Sequence, residues 1–394
     1  MKSIEDIALR GRRVLIRVDF NVPLKDGRVA DATRIRGSLA TVRYAIEQGA
    51  RVVLASHLGR PKGNVKPELS LGPVANELAA ELDQPVVLLP DCVGPLVEEH
   101  VNAMLDGDVA LLENLRFHAE EEANDPAFAK ALASLCDVYV NDAFGSAHRA
   151  HGSTAGIVEH VREAGAGFLL MAEVEALGGL LANPARPFVA VVGGAKVSDK
   201  IALMRSLLGR IDSLIVGGAM AYTFLRAQGV EVGASRVEED KLALARELLA
   251  EAAARGVHVA LPVDHVVARE FREDSPVHDA DSAAIEPGWM GLDIGPRTRA
   301  DYSRILSRAE TVFWNGPMGV FEWKSCSGGT AAVANAVADS KAVSVVGGGD
   351  SVAALVQTGR AADITHISTG GGASLELLEG KILPGVAALE AKAG

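Results

Sequence analysis

Cysteine is scarce in this 394-residue chain: Cys92, Cys136 and Cys326 lie far apart and form no C-x-x-C pair. Neither a disulfide framework nor a sulfur metal site is suggested, and the three thiols read as small buried hydrophobes. Aromatic residues are also few, at 4% beside 41 glycines. That balance argues against an aromatic-rich β-sandwich and for an α/β protein whose strands end in tight, ligand-approaching turns. Positive charge is in deficit, 39 Lys and Arg against 51 Asp and Glu for a net charge of -12, so no nucleic-acid partner is expected. No uncharged run reaches the roughly 18 residues of a membrane-crossing helix. The opening stretch MKSIEDIALRGRR carries acids and has no apolar core, unlike a signal peptide. A soluble, cytoplasmic protein with no membrane partner is expected. Low-complexity tracts and solenoid repeats are absent. So are two nucleotide-binding signatures. The one Gly-Lys pair, Gly380-Lys381, is followed by Ile382, which rules out a Walker A loop, and no G-x-G-x-x-G follows a strand. A P-loop ATPase and a Rossmann dehydrogenase both drop out.

What the chain has is a recurring pattern of short β-branched runs: 13–20, 51–57, 109–115, 138–144, 188–194, 213–219, 257–267, 311–316, 342–349 and 364–372. Most are separated by segments of helical periodicity such as 238–254. Strand alternating with helix implies βαβ units and mainly parallel sheets. The length suits two domains, perhaps three, of about 100 to 200 residues each. In open α/β sheets ligands sit beyond the carboxyl ends of the strands, and here those ends differ between the two halves. The first half ends its strands in Asp19 and Asn21, His57 and Arg60, Arg116, and His148 and Arg149. The second half ends them in glycines: Gly193-Gly194, Gly217-Gly218, Gly347-Gly348-Gly349 and Gly370-Gly371-Gly372. This reads as two sheets, one for an anion and one for a nucleotide. Segment 165–187 runs helically to Asn183-Pro184 and is the natural connector.

Arginine presents a permanently charged, planar fork of donors matched to phosphate and carboxylate oxygens. Arg34, Arg60, Arg116 and Arg149, with His57, His148 and His151 close in sequence, therefore suit a small polyanion as a group, although any one of them also reads as a solvated or ion-paired arginine. Arg17 lies inside its strand and is set aside. In the second half, GGAKVSDK places Lys196 and Lys200 beside a glycine turn, with Ser198 as a candidate helix cap. The same glycines also read as a helix C-cap and the lysines as surface residues. GGGDS puts Asp350 and Ser351 at the head of a probable helix, where the aspartate suits magnesium against nucleotide phosphates or, alternatively, an N-cap. His148-x-x-His151 has no further zinc-ligand pattern, and Arg149 between the two would repel a cation.

Nine strings then fall in order along nearly the whole chain: RVDFNVPL (17–24), SHLGRP (56–61), LLENLRFHAEEE (111–122), NDAFGSAHRAHGS (141–153), GGAKVSDK (193–200), LDIGP (292–296), WNGPMGVFE (314–322), GGGDS (347–351) and STGGGASLELLEGK (368–381). As a set they resemble the phosphoglycerate kinases. The resemblance implies an α/β monomer of two Rossmann-like lobes, each a mainly parallel sheet flanked by helices, joined by an interdomain helix and hinge. The lobe for 3-phosphoglycerate would comprise 1–168 plus 378–394, the interdomain helix 169–183, and the lobe for Mg-ATP or Mg-ADP 184–377. The resemblance also implies that Asp19, Asn21, Arg34, His57, Arg60, Arg116 and Arg149 hold the acid. Gly193, Lys196, Lys200, Gly217, Gly218, Gly291, Leu292, Asn315, Pro317 and Glu322 would meet the nucleotide, Glu322 at the ribose. Asp350 would bind Mg2+, Gly349 and Ser351 would lie by the phosphates, and the turn ending at Gly372 would offer N–H groups to the transferring phosphoryl. Arg34, Lys196, Lys200, Gly349 and Gly372 form the implied catalytic set. Ser351 stands where a threonine is common in the family, and either hydroxyl can donate.

A carboxylate with a pKa of about 4 is ionised at neutral pH, so phosphoryl transfer between ATP and 3-phosphoglycerate, giving ADP and 1,3-bisphosphoglycerate, needs no general base. Alignment and charge neutralisation then carry catalysis, with a hinge near 165–187 bringing the substrates together. Another acyl-phosphate kinase would keep GGGDS and the lysines without the arginine set. A silent nucleotide-binding scaffold would lack Lys200 or Asp350, and both are present.

Overall fold

The structure, a computed structural model, describes residues 1–394. Two compact units emerge, Met1–Glu175 with Ile382–Gly394, and Ala176–Lys381.

In the first unit six strands form one sheet: β1 (Arg13–Arg17), β2 (Arg51–Ala55), β3 (Val86–Leu88), β4 (Val109–Leu111), β5 (Val138–Asn141) and β6 (Ala164–Ala166). Their spatial order is β3-β4-β2-β1-β5-β6, and every pairing is parallel. The central strands are buried on both faces, so they read as continuous apolar runs rather than alternating ones. Helices Thr33–Glu47 and Gly72–Leu82 cover the sheet with residues three, four or seven apart, Ile35, Val42 and Ala45 on one and Val74, Leu78 and Leu82 on the other. Each fully buried Ile, Leu or Val here contributes roughly 1.5–3 kcal/mol of transfer free energy. The last helix, Pro384–Ala393, starts on a proline whose missing N–H costs nothing at that position. It joins the first unit through Val386 and Leu389 and a bond from Gly385 N–H to the Ala147 carbonyl of 2.9 Å.

The second unit carries β7 (Phe188–Val192), β8 (Ser213–Val216), β9 (His258–Ala260), β10 (His265–Ala268), β11 (His278–Ala280), β12 (Met290–Ile294), β13 (Thr311–Asn315), β14 (Val343–Val346) and β15 (His366–Ile367). Its main sheet runs β9-β8-β7-β13-β14-β15, all parallel, with the order reversing between β7 and β13. That reversal is where open α/β sheets leave a crevice for ligand. A separate antiparallel sheet, β11-β10-β12, stands beside it in sequence.

Several sequence expectations change. The run 257–267 is two strands in two sheets, because Pro262 has no N–H to continue a ladder. The other apolar runs end one to five residues before their sequence limits, where polar and glycine residues leave the sheet. Strands β3, β6, β11 and β12 were not read from sequence; each is short or holds small and polar residues. Ser198 does not cap a helix: its hydroxyl donates to Glu238 at 2.7 Å, and the next helix, Ile201–Leu208, begins after Lys200 with no side-chain cap.

The connector is the helix Phe168–Ala182, and the boundary between the units falls inside it, after Glu175. Its first turn is held by Asp142, just past β5, whose Oδ1 accepts the N–H groups of Leu169 at 2.9 Å and Leu170 at 3.2 Å. Gly167 makes the approach possible, since a Cβ there would collide with this carboxylate. Burial pushes Asp142 up to about 7 and outweighs the Thr41 hydroxyl and these N–H groups, which act the other way. An acid raised in the folded state confers stability that is complete below its unfolded value of about 4 and is lost as pH rises toward its folded value. Asp142→Asn removes that loss. Urea unfolding from about pH 4 to about pH 8 should therefore show the variant gaining on the wild type by on the order of a few kcal/mol up to pH 7 and levelling off above. A difference that stays constant with pH would contradict a buried neutral carboxyl here.

Candidate active site

In the first unit the loops after β1, β2, β4 and β5 lie along one edge of the sheet and build a basic pocket. Arg17, set aside in the sequence as a strand residue, is buried at its base, with Nε donating to Ser153 at 2.8 Å, a terminal nitrogen on the Val18 carbonyl, and the other 3.2 Å from His57 Nδ1. Arg34 reaches from helix Thr33–Glu47 to Asp19 at 3.1 Å. Arg116 is buried in the 3-10 turn Leu115–Phe117, bonding the Gly59 carbonyl at 2.9 Å and facing Glu122 at 3.4 Å. Asn21 accepts the Gly59 N–H at 2.9 Å, which fixes the loop carrying the exposed Arg60. Arg149 Nε donates to His148 Nε2 at 3.2 Å.

Two histidines complete this side. Burial, reinforced by Arg17, Arg116 and Arg34, holds His57 well below its ordinary value, and burial beside Arg116, Arg17 and Arg149 pushes His151 down to about 4. His151 Nδ1 lies 3.9 Å from Glu121 Oε1, but a neutral ring makes that contact dipolar rather than ionic. Burial also lowers Arg116, whose charge is opposed by Arg149 and Arg17 and supported by Glu122. The pocket thus keeps more cationic than anionic charge, which a polyanion relieves.

In the second unit a cavity of about 430 Å3 is lined by Gly194, Gly218, Gly291, Leu292, Pro317, Glu322 and Asp350, among others. Gly193 and Gly217 stand behind its wall: a Cβ on Gly193 would strike the Pro317 carbonyl and one on Gly217 would strike Met318. Gly218, at φ +69, passes against the Gly194 backbone, so a side chain there is excluded by conformation as well as by space. Lys196 is exposed. Lys200 Nζ bonds Asn315 Oδ1, while Asn315 Nδ2 donates to the Gly347 carbonyl at 2.8 Å, so one buried amide ties the lysine to the ends of β13 and β14. Burial lowers Lys200, against Asp199 and Asp350, which raise it. Gly348 is the N-cap of helix Gly349–Gln357, so Asp350 lies in the first turn and is not the cap itself; its carboxylate is exposed. Ser351 is buried and accepts the Gly316 N–H at 2.5 Å. Gly372 opens helix Gly372–Leu378 after the Gly371 cap at φ +55.

A family model described as phosphoglycerate kinase matches residues 4–381. The chain belongs to the phosphoglycerate kinase family. Curated relatives of that name are 59% identical over 390 residues in Moorella thermoacetica and 58% identical over 395 residues in Anaeromyxobacter dehalogenans, each match covering 99% of both chains. The solved phosphoglycerate kinase of Coxiella burnetii superposes with a TM-score of 0.91 at 45% identity, covering 99% of this chain and 98% of that one. That of Pyrococcus horikoshii gives 0.87 at 36% identity over 100% and 99%. Phosphoglycerate kinases are phosphotransferases with a carboxyl group as acceptor, and the fold of two parallel sheets flanked by helices is theirs.

Beneath the residues that the family resemblance picks out lies a layer that it does not. Glu121, fully buried, accepts Ser153 Oγ at 2.5 Å and Ser153 N at 2.8 Å, and so backs the Arg17–Ser153 bond. Asn114 joins the loops after β2 and β4 through Leu58 N and O and Arg116 N. In the second unit Asp293, next to Leu292, accepts Gly329 N at 2.6 Å and Arg299 at 3.1 Å, and burial pushes it up to about 7 despite that cation. Asp293 thereby pins β12, with Gly291 and Leu292, to helix Gly328–Asp339. Only its place in LDIGP hinted at this in the sequence.

A depressed histidine contributes stability that is present above about pH 6.5 and is lost as pH falls through the folded value. NMR titration should find the ring protons of His57 and His151 without a step between about pH 8 and about pH 5. A step near 6.5 on either ring would contradict the buried, neutral assignment.

Proposed function

We propose that this chain transfers a phosphoryl group reversibly between ATP and the carboxylate of 3-phosphoglycerate in glycolysis, working as a cytoplasmic monomer. The reading rests above all on one contrast: the strand ends of the first unit supply guanidinium groups, while those of the second supply glycine backbone and the carboxylates of Glu322 and Asp350. The acid is assigned to Asp19, Asn21, Arg34, His57, Arg60, Arg116 and Arg149. The nucleotide is assigned to the glycine-lined cavity with Leu292, Asn315 and Pro317, and Glu322 to the ribose. Gly349, Ser351 and the turn ending at Gly372 are assigned to the phosphates.

Asp350 suits Mg2+: its exposed carboxylate stands on the wall of the nucleotide cavity in the first turn of helix Gly349–Gln357, and the rest of the small ion's shell falls to phosphate oxygens and water. When bound, Mg2+ neutralises charge on the phosphates. The acid's carboxylate oxygen forms the new bond to the γ-phosphorus as the bond to the bridging oxygen of ADP breaks. No proton moves, which fits a pocket whose histidines are held neutral. Lys196, Lys200 and Arg34 spread the charge of the moving group, with Asn315 fixing where Lys200 ends. Transfer requires acid and nucleotide to meet, so closure through segment 165–187 belongs to the proposal and serves to exclude water.

The test is acyl phosphate trapped with hydroxylamine from Mg-ATP and a panel of small acids. Product should form with 3-phosphoglycerate alone and vanish in Asp350→Ala, and Lys200→Ala should lower kcat by roughly 10²-fold. Product from a different acid would reassign the substrate, and a kcat for Lys200→Ala within a few-fold of wild type would remove that lysine from the transferring centre.

A further inference from the structure

We propose that Asp91, Cys92 and His118 form a binding site for a divalent cation of the zinc class, distinct from the acid pocket and the nucleotide cavity. One carboxylate oxygen, the thiol sulfur and one imidazole nitrogen lie within 4.8 Å of one another. His118 belongs to the string LLENLRFHAEEE, yet the anion pocket makes no use of it: its Nε2 sits 2.7 Å from Asp91 Oδ1 instead. Tetrahedral zinc, with bonds of about 2.0–2.3 Å, needs ligand atoms roughly 3.3–3.8 Å apart, so closing the trio takes shifts of about 1 Å. Thiolate, imidazole and carboxylate with a fourth position left for water is zinc's open-site chemistry, whereas Mg2+ requires oxygen ligands throughout.

The surroundings are arranged for it. The Asp91 carbonyl accepts Glu113 N–H at 3.3 Å, and Asp91 Oδ1 accepts the Cys92 N–H at 2.6 Å, fixing the loop before helix Pro95–Ala103. His118 closes the turn Leu115–Phe117 through its N–H to the Leu115 carbonyl at 3.2 Å, and its ring lies 5.4 Å from that of Phe128. Access is from solvent: the Asp91 side chain is 48% exposed and that of His118 29%, while Cys92 is buried behind them. A cavity of about 480 Å3 lined by Asp91, Glu113 and Phe117 opens alongside. Binding forms a sulfur–metal bond and releases the thiol proton to solvent. Cys136 and Cys326 belong to no such group.

The test titrates chelator-treated protein with Co2+ without oxygen and follows the near-ultraviolet thiolate-to-cobalt absorption, then displaces the ion with Zn2+. Cobalt at Asp350 gives no such band, since no thiol lines that cavity. The expected result is saturation at one equivalent, displacement by Zn2+, loss of the band in Cys92→Ser and an affinity at least about tenfold weaker in His118→Gln. Cys92 is fully buried, so His118→Gln, at a partly exposed position and with circular dichroism confirming its fold, keeps the test decisive. Absence of a saturable band in the wild type, or an unchanged affinity in His118→Gln, overturns the proposal.

Discussion

Because every strand pairing in both six-stranded sheets is parallel, each sheet has all its carboxyl ends on one edge. Loops far apart in sequence are therefore neighbours in space, and the residue types that follow each strand decide what chemistry that edge can do. In the first unit, residues far apart in the chain meet at that edge, with Arg17, Arg34, Arg116 and Arg149 around His57 and His151. In the second, the same arrangement brings together glycine turns whose backbones pass so closely that Gly193, Gly217 and Gly218 exclude side chains. One architecture gives a site of fixed charge and a site of close-packed backbone.

Burying cations is costly unless they are paired or hydrogen-bonded, and the first unit handles this unevenly. Arg17 is offset through Ser153 by Glu121, and Arg34 by Asp19, while Arg116 has only the partly exposed Glu122 and a carbonyl. The histidines respond by losing their protons, so the excess positive charge stays on guanidinium groups, which cannot lose theirs at neutral pH. In the second unit Asp293 and the Lys200–Asn315 pair do comparable work on geometry, fixing β12 and the ends of β13 and β14 around the cavity.

Much of this was legible in the sequence. Long β-branched runs ending in glycine or arginine placed nearly every central strand and the loops that matter, because a strand buried on both faces leaves a continuous apolar signal. Edge and antiparallel strands such as Val86–Leu88 and Met290–Ile294 escaped, being short or broken by small and polar residues. Supporting residues escaped for another reason. Glu121, Asn114 and Asp293 act through partners 32, 56 and 36 positions away, and a linear reading shows the residue without the partner. Arg17 lies inside its strand, as its place in the apolar run implies, yet its guanidinium extends past the strand to His57.

The central claim is that two sites of opposite construction, one in each unit, bind different anions independently. Calorimetric titration of Arg116→Ala and Lys200→Ala with 3-phosphoglycerate and with Mg-ATP, each ligand alone, tests it most directly. The account predicts that Arg116→Ala loses at least about tenfold in affinity for the acid, as expected for a charge-assisted contact, and keeps its nucleotide affinity, with Lys200→Ala showing the reverse. Weakening of both ligands by either substitution, or undiminished acid binding in Arg116→Ala, would contradict it.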